Sequence, residues 1–568
     1  MSDSARDYLA SPHLEPELRA ELKSLIEVAE TDQNAKIELD DRFSEPLAFG
    51  TAGLRGVMAA GIRRMNRPLV RRTTMALATV AKNNAQAKSG NLKAIVGCDT
   101  RNQSKEFALE AARVLVAAGF EVYLGNRPLP TPFLCFAMRK LGTACGVIIT
   151  ASHNPKEYNG YKAYDDKGGQ VVAPWDKEIE VAMGALPVVP EPPPSDIDSR
   201  IISIPCEIEE AFIQMSLGYR LNPSPFEPAK LLFTPFHGTG ADFVPEVFKR
   251  AGLPLDVCGP QMVQDGNFPT APKPNPEEMS AFRVTIEDAE RTGTDAILAT
   301  DPDADRLGIV IKHGGKWVQM TGNDMAALAL DYLVRFKGAK GCIVTTVVTS
   351  DFLVETARHH GIKTVWCLTG FKNIAVAMNR LEANGESYAF GAEESIGCLP
   401  DHSLRDKDGI TAALLYGEMV GHYKALGMNL MEAVLELQKR IGTYYSRQVN
   451  LEDPKPGGAQ RFAEAMGRIR SAGLSNFAGE TVASWEDFLT CKHYANGKAE
   501  PILDRPDRKD IAVPIESSNV LKFRFKSGAF VAFRPSGTEP KLKVYLQSRT
   551  TEDLLDRMEA EARKLLGL

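Results

Sequence analysis

At 568 residues the chain is too long for one ordinary hydrophobic core, so about three or four domains are expected. Hydrophobic residues make up 44% and charged residues 25%, as in a soluble globular protein. A formal net charge of −6 excludes a global basic field for nucleic acid or an anionic membrane, so an anionic ligand must be met by local basic clusters. The nine cysteines are scattered without a Cys-x-x-Cys pair, which fits reduced thiols rather than a disulfide framework or a zinc site. The opening residues carry acids and a proline rather than an apolar signal core, and no apolar run reaches the ~18 residues of a membrane span. These features predict a cytoplasmic protein with no membrane and no nucleic-acid partner.

In chain order, the first forty-odd residues read as amphipathic helix, with Leu18, Leu22, Leu25 and Ile26 at helical spacing. Phe49–Gly56 (FGTAGLRG) reads as a glycine-punctuated loop. Leu69–Ala85 reads as a helix, Leu92–Val96 as a strand, Phe107–Ala118 as a helix and Glu121–Leu124 as a strand. Gly146–Ile149 is a short β-branched run that suits a buried strand, broken abruptly by Thr150-Ala151-Ser152-His153-Asn154-Pro155. This rhythm is that of a βαβ sheet, and polar loops at the carboxyl ends of such strands are where open α/β sheets place chemistry.

The proline-dense Pro187–Pro194 marks a domain edge. A second α/β block starts at Lys230–Phe233, continues through the loop TPFHGTG, and has a strand Asp295–Ala299 running into Asp301–Arg306 (DPDADR), which Leu307–Ile311 leaves. A third block holds a helix over Asp324–Val334 and strands at Cys342–Val348, Thr364–Cys367 and Ser387–Phe390, the last two opening into LTGFK and GAEESIG. In the last block Leu521, Phe523 and Phe525 alternate with Lys522, Arg524 and Lys526, the patterning of antiparallel strands. A closing helix, Thr551–Leu566, has acids in its first turn and Arg563 and Lys564 in its last.

Several of these loops carry chemistry. Asp301, Asp303 and Asp305 crowd three carboxylates between two strands, which repel unless a divalent cation holds them. An EF-hand is excluded, because its glycine and glutamate positions hold Arg306 and Lys312. All-oxygen ligation favours Mg²⁺. Ser152 presents a hydroxyl at a strand mouth, with His153 adjacent and Lys162 shortly after. Arg534-Pro535-Ser536-Gly537-Thr538 combines a glycine-permitted turn, two hydroxyls and a guanidinium, the parts of a phosphate cradle. Glu393-Glu394-Ser395 offers acceptors and a hydroxyl suited to sugar hydroxyls. FGTAGLRG is neither a Walker loop nor a Rossmann fingerprint, although Arg55 within it could meet a phosphate. Together the loops point to phosphoryl transfer on a sugar.

The motifs TASHNP, DPDADR, GAEES and RPSGTEPK, in that order, with GTAGLR near the start, resemble the α-D-phosphohexomutase family of phosphoglucomutases and phosphomannomutases. The resemblance implies an α/β fold of four domains around a central cleft, three related α/β sheet domains and a C-terminal α+β lid. The expected segments are 1–207 with the phosphoserine loop, 208–314 with the metal loop, 315–440 with the sugar loop and 441–568 with the phosphate loop. It implies that Ser152 carries a phosphoryl group, giving it to one end of a hexose monophosphate and recovering it from the other end of a hexose 1,6-bisphosphate. Asp301, Asp303 and Asp305, with a phosphate oxygen on Ser152, would hold Mg²⁺. His153 and Arg55 would border the phosphoserine, and Lys162 and Lys407 would be general base and acid, which requires a lowered lysine pKa. Arg306, Thr369, Gly370, Glu393 and Ser395 would bind the sugar phosphate, and Arg534, Ser536, Gly537 and Thr538 its distal phosphate. Closure of the lid would exclude water.

Glu-Glu-Ser followed by Ile396-Gly397 departs from the Gly-Glu-x-Ser-Gly-His of phosphomannomutase-like members, which makes glucose phosphate the leading substrate. LTGFK and the chain length are also similar to the branch that contains phosphopentomutase, which keeps mannose and pentose phosphates open. The expected partners are small sugar phosphates, in a monomer or small homo-oligomer. An aspartate-nucleophile phosphatase using Asp301 and Asp303 is the rival enzyme class, but it leaves TASHNP and RPSGTEPK without a role.

Overall fold

Cys145–Ile149 is buried along its whole length, as its apolar residues predict for a strand covered on both faces. It lies inside a sheet ordered Gly53–Val57, Tyr158–Tyr164, Cys145–Ile149, Lys93–Cys98, Glu121–Leu124, Ile201–Ser203. It runs parallel to Lys93–Cys98 and antiparallel to Tyr158–Tyr164, so the serine loop turns a hairpin on the flank of a parallel sheet. The structure, a computed structural model, describes residues 3–50, 53–84, 88–455, 457–502, 517–536 and 541–568.

A second sheet repeats the plan, in the order Lys316–Gln319, Leu307–His313, Ala296–Thr300, Leu231–Thr234, Asp256–Val257. Ala296–Thr300 is parallel to Leu231–Thr234 and antiparallel to Leu307–His313, which places the triple-aspartate loop as Cys145–Ile149 places the serine loop. The third sheet runs Lys363–Cys367, Cys342–Thr346, Tyr388–Ala392, Cys398–Leu399, with Tyr388–Ala392 parallel to Cys342–Thr346. In all three, the strand entering the chemical loop lies between a parallel neighbour and the strand that leaves the loop. The repeat is one of strand order, carried by different letters.

The chain divides into two compact units, Met1–Gln319 with Leu399–Leu426, and Met320–Cys398 with Gly427–Leu568. In the first unit, helix Gly409–Ala425 is buried from Gly409 to Tyr423 and packs on helix Gly240–Ala251 and strand Ala296–Thr300. Its cap, Asp408, accepts from the Ile410 and Thr411 amides at 2.9 and 3.0 Å, so Lys407 stands at the mouth of a rigid helix.

In the second unit the C-terminal sheet is antiparallel throughout, as expected: Tyr445–Glu452, Lys541–Ser548, Phe530–Pro535, Leu521–Phe525, Glu480–Asp487, Lys492–Ala495 and Lys498–Pro501 are neighbours in that order. Leu521, Phe523 and Phe525 join a core with Phe462 and Met558, from helices Gly458–Ala472 and Asp553–Leu566. The opposite face is not left to water. Phe530, Ala532 and Tyr545 pack with Val347 and Val348, and Lys522 is buried there with its Nζ donating to the Val347 carbonyl at 2.8 Å.

Two local expectations are corrected by the structure. The first helix is three, Asp3–Ala10, Pro16–Ala29 and Gln33–Arg42; Pro16 starts the second and Asp32 caps the third through the Asn34 and Ala35 amides. The FGTAGLRG loop contains a strand, Gly53–Val57, paired with Tyr158–Tyr164 so that Arg55 faces Gly160. Tyr158–Tyr164 is a strand although its Asn159-Gly160 reads locally as a turn. Among the described residues no helix is long and apolar enough to cross a membrane, and all nine cysteines are free.

Candidate active site

Ser152 is buried and adopts a φ of +51°, a left-handed conformation that a side chain with a Cβ disfavours. Its surroundings over-determine that geometry. The Ser152 amide donates to Thr150 Oγ1 at 2.8 Å, and that hydroxyl donates to Asp99 Oδ2 at 2.7 Å. The Arg101 guanidinium donates to the carbonyls of Ser152 and Asn154, each at 2.5 Å, and to those of Pro155 and Tyr158 at 2.9 and 3.1 Å. Gly160 backs the loop, and a Cβ there would lie 2.4 Å from the Thr150 carbonyl oxygen. Held this way, Ser152 Oγ donates to Asp301 Oδ2 at 2.7 Å and lies 3.1 Å from His153 Nδ1. Arg55 reaches the same loop, donating to Asn154 Oδ1 at 3.2 Å.

The serine loop therefore meets the aspartate loop within the first unit. Asp301, Asp303 and Asp305 are fully buried, and their carboxylate oxygens gather within 4.8 Å of one another. The loop is clasped from outside. Thr239 donates its amide and hydroxyl to the Pro302 carbonyl at 2.8 and 3.0 Å. Gly238 allows that approach, because a Cβ would stand 2.4 Å from Pro302 Cα. Thr131, which starts helix Thr131–Leu141, donates its amide and hydroxyl to Asp303, both at 2.9 Å.

Two lysines face the carboxylates. Lys162 Nζ donates to Asp303 Oδ2 at 2.8 Å and Asp305 Oδ2 at 3.0 Å. Lys407 Nζ stands 3.2 Å from both Asp305 Oδ2 and Asp406 Oδ1. Asp406 is fixed in turn by the Tyr164 hydroxyl at 2.9 Å and the Gln170 amide at 2.7 Å. Arg306 donates its backbone amide to Asp301 Oδ1 at 3.1 Å, and its guanidinium pairs with Glu277 at 3.3 Å.

The charges follow from this crowding. Burial and repulsion from Asp303 and Asp305 push the Asp301 carboxyl well above the usual range. Burial would also raise Asp305, but Lys162, Lys407 and Arg306 overcome it and hold that carboxylate ionised. Burial would lower Lys162, but Asp303, Asp305 and Asp406 outweigh it and drive its pKa up. The lowering that a lysine base requires is not found at Lys162.

A hard divalent cation fits this donor set. The ligands are all carboxylate oxygens, and Asp303 Oδ1 and Asp305 Oδ1 are buried without a hydrogen-bond partner among the described residues. The repulsion that raises Asp301 is what such a charge would cancel.

In the second unit the GAEES residues meet the LTGFK loop. Glu393 Oε1 accepts from the Gly370 amide at 2.8 Å, and the Thr369 carbonyl accepts from Asn373 Nδ2 at 3.1 Å. Thr369 Oγ1 is buried with no partner among the described residues. Among the described residues Ser395 Oγ has only long contacts, 3.4 Å to Glu394 Oε1 and 3.5 Å to Gln448 Oε1. Arg534 is half-buried; burial disfavours its charge, but Tyr545, Glu394 and Glu393 nearby outweigh that. Ser536 is exposed. Gly537 and Thr538 lie outside the described residues.

Asp99, Arg101, Thr131 and Asp406 escaped the sequence reading. A signal existed for the first two, since both follow the parallel strand next to the serine strand, at its carboxyl end.

Comparison with known proteins sets the class. Family models for phosphoglucomutase/phosphomannomutase match four times in chain order: α/β/α domain I at residues 46–186, domain II at 210–315, domain III at 321–440 and the C-terminal domain at 495–565. A phosphoglucomutase of Staphylococcus haemolyticus is 33% identical over 514 residues, covering 89% of this chain and 90% of the relative. A Haemophilus influenzae protein designated a probable phosphomannomutase is 33% identical over 497 residues, covering 85% of this chain and 93% of its own. Among solved structures, a Thermus thermophilus protein assigned as a phosphomannomutase superposes with a TM-score of 0.67 at 25% identity, covering 92% of this chain and all of that one. The chain belongs to the phosphoglucomutase/phosphomannomutase family, enzymes that isomerise sugar phosphates by moving a phosphoryl group.

Proposed function

We propose that the protein interconverts hexose 1-phosphate and hexose 6-phosphate, with glucose as the preferred sugar, through a phosphoryl group carried on Ser152 and a hexose 1,6-bisphosphate intermediate. The observation that carries this reading is the Ser152 hydroxyl 2.7 Å from Asp301, in a carboxylate cluster that Lys162 and Lys407 flank. In this reading the segments 1–207, 208–314, 315–440 and 441–568 contribute one loop each.

The transfer breaks the bond between phosphorus and Ser152 Oγ and forms one to a sugar hydroxyl; the second half-reaction reverses it at the other end of the sugar. Asp301, Asp303 and Asp305, with a phosphate oxygen on Ser152, would hold Mg²⁺. Bound there, Mg²⁺ would supply charge neutralisation at the transferring group. Lys162, kept cationic by its acidic neighbours, serves as counter-charge; it gives a proton to the serine oxygen as that departs and takes back the proton the sugar hydroxyl loses as its oxygen bonds to phosphorus, so no net proton is lost. A loose phosphoryl-transfer transition state makes little demand on early deprotonation of the attacking hydroxyl, so cationic lysines suit it. Lys407 is the second lysine at the reacting oxygen, and His153 and Arg55 border the phosphoserine. Arg306, Thr369, Gly370, Glu393 and Ser395 bind the sugar phosphate. Arg534, with Ser536, Gly537 and Thr538, takes the phosphate that is not reacting.

Glucose is favoured by Glu393-Glu394-Ser395 running into Ile396-Gly397, and the Staphylococcus haemolyticus relative is named a phosphoglucomutase. The test is a side-by-side comparison of kcat/KM for glucose, mannose, ribose and N-acetylglucosamine 1-phosphates with catalytic hexose 1,6-bisphosphate and Mg²⁺. Glucose 1-phosphate is expected to lead by at least about tenfold, which requires only ~1.4 kcal/mol of transition-state preference. A lead by mannose or ribose would overturn the glucose assignment, and no turnover of any of the four would overturn the mutase reading.

A further inference from the structure

A single buried side chain, Arg101, gathers four main-chain carbonyls of the serine loop, those of Ser152, Asn154, Pro155 and Tyr158. Its Nε stands 3.2 Å from Asp99 Oδ2, with both side chains sealed from water. Its guanidinium also lies over the Phe268 ring, 5.0 Å from the centroid, so one face is packed while the edges donate. Asp99 connects to the nucleophile by a second route, accepting from Thr150 Oγ1, which accepts the Ser152 amide. Asp99 Oδ1 is occupied as well, by the Ser104 hydroxyl at 2.8 Å and the Arg101 amide at 2.9 Å.

Arg101 does not touch the Ser152 hydroxyl, so its action is on geometry. A serine with φ of +51° relaxes toward an ordinary conformation unless its peptide groups on both sides are fixed. The Asp99–Thr150 relay fixes the amide, and Arg101 fixes the carbonyl and the next turn of chain. Five N–H donors in one rigid plane suit a guanidinium to this task; an ammonium cannot span four carbonyls.

We infer that Arg101, anchored by Asp99, is a positioning residue for phosphoryl transfer, holding Ser152 in the left-handed conformation that aims its hydroxyl at the aspartate cluster. The inference rests on Ser152 being the phosphoryl carrier. A nucleophile displaced by about 1 Å loses about two orders of magnitude in rate while substrate affinity is largely kept.

The experiment compares the wild-type protein with Arg101→Lys, using single-turnover labelling from ³²P-glucose 1,6-bisphosphate, steady-state kinetics with glucose 1-phosphate, and a circular dichroism melt giving the folded fraction. Arg101→Lys is expected to label about 30- to 100-fold more slowly per folded molecule, with KM within about threefold of wild type. Labelling at the wild-type rate, or slowing fully accounted for by lost folded fraction, would overturn the inference. If the wild-type protein takes no label at Ser152, the carrier assignment fails, and it does so in an arm without an Arg101 variant. Should Arg101→Lys not fold, Thr150→Val and Thr150→Ser decide the matter. The valine variant is expected to label slowly and the serine variant, which keeps the hydroxyl relay, to recover to within about threefold. Equal labelling by both would overturn the inference.

Discussion

The loops of the first unit and those of the second are built on different principles. In the first, the reacting hydroxyl and its neighbours are held at short range, Ser152 by Asp301 at 2.7 Å, Lys162 by Asp303 at 2.8 Å and the serine-loop carbonyls by Arg101, and what is left open is anionic, Asp303 Oδ1 and Asp305 Oδ1 having no hydrogen-bond partner among the described residues. In the second, among the described residues, Ser395 Oγ has contacts only at 3.4 and 3.5 Å, Glu394 accepts from Thr346 and Thr349 at 3.3 Å each, and Thr369 Oγ1 has no hydrogen-bond partner. A site that stabilises a transferring charge gains from dipoles and ions fixed beforehand. A site that must receive a sugar in two orientations gains from polar groups not yet committed. Under the proposed function, the contrast would set fixed charge to the transfer chemistry and loosely held polarity to ligand recognition.

Three substitutions would sharpen or break that contrast. The largest effect is expected at Asp303, whose carboxylate serves Lys162 and Thr131 in the fixed network. Asp303→Asn should lower kcat by about 10³-fold, consistent with losing several kcal/mol from a buried charge network, and should raise the Mg²⁺ concentration needed for half-maximal rate. A magnesium titration of steady-state turnover checks this; an unchanged magnesium requirement would remove Asp303 from the cation site. Next comes Arg534→Ala, on the recognition side. Loss of about 2 kcal/mol of charge-assisted contact should raise KM for glucose 1-phosphate roughly 30-fold with labelling of the enzyme by bisphosphate little slowed. If labelling fell as far as affinity, Arg534 would belong with the transfer chemistry and the contrast would fail.

The smallest change in turnover is expected from Asp408→Asn, which tests only the rigidity of the first unit. Burial pushes the Asp408 carboxyl from its ordinary 3.8 to about 6. Below pH 4 both the folded and unfolded chains hold that proton. Between pH 4 and 6 the unfolded chain releases it first, so the aspartate's contribution to stability falls as pH rises. Above pH 6 the ionised, buried group costs about 3 kcal/mol. The asparagine keeps the helix cap without that cost, so its unfolding temperature relative to wild type should climb from pH 4 to pH 7 and then level off. A difference independent of pH would show that Asp408 is not buried as a charge.

Those results would bear on groups whose visibility in the sequence differed sharply. Ser152 and the three aspartates were legible because each sits in a short polar loop directly after an apolar strand, where letters and position agree. The repeat of three α/β blocks was legible for the same reason. Gly53–Val57 and Tyr158–Tyr164 were not, since glycine and Asn-Gly argue locally for turns and only their mutual pairing makes them strands. Arg101 and Asp406 were invisible in their roles because their partners lie roughly fifty and two hundred or more residues away, as with Ser152 and Tyr164. Lys522 read as one of three alternating charges on a strand, yet that face packs against Val347 and is buried.

The central claim is that one serine carries the phosphoryl group in a prearranged pocket of charge. Incubation of the protein with ³²P-glucose 1,6-bisphosphate and Mg²⁺, followed by mapping of the labelled peptide, addresses it directly. The account predicts stoichiometric label on Ser152, stable to hydroxylamine and absent from Ser152→Ala. Label that hydroxylamine removes, or label that persists in Ser152→Ala, would contradict it.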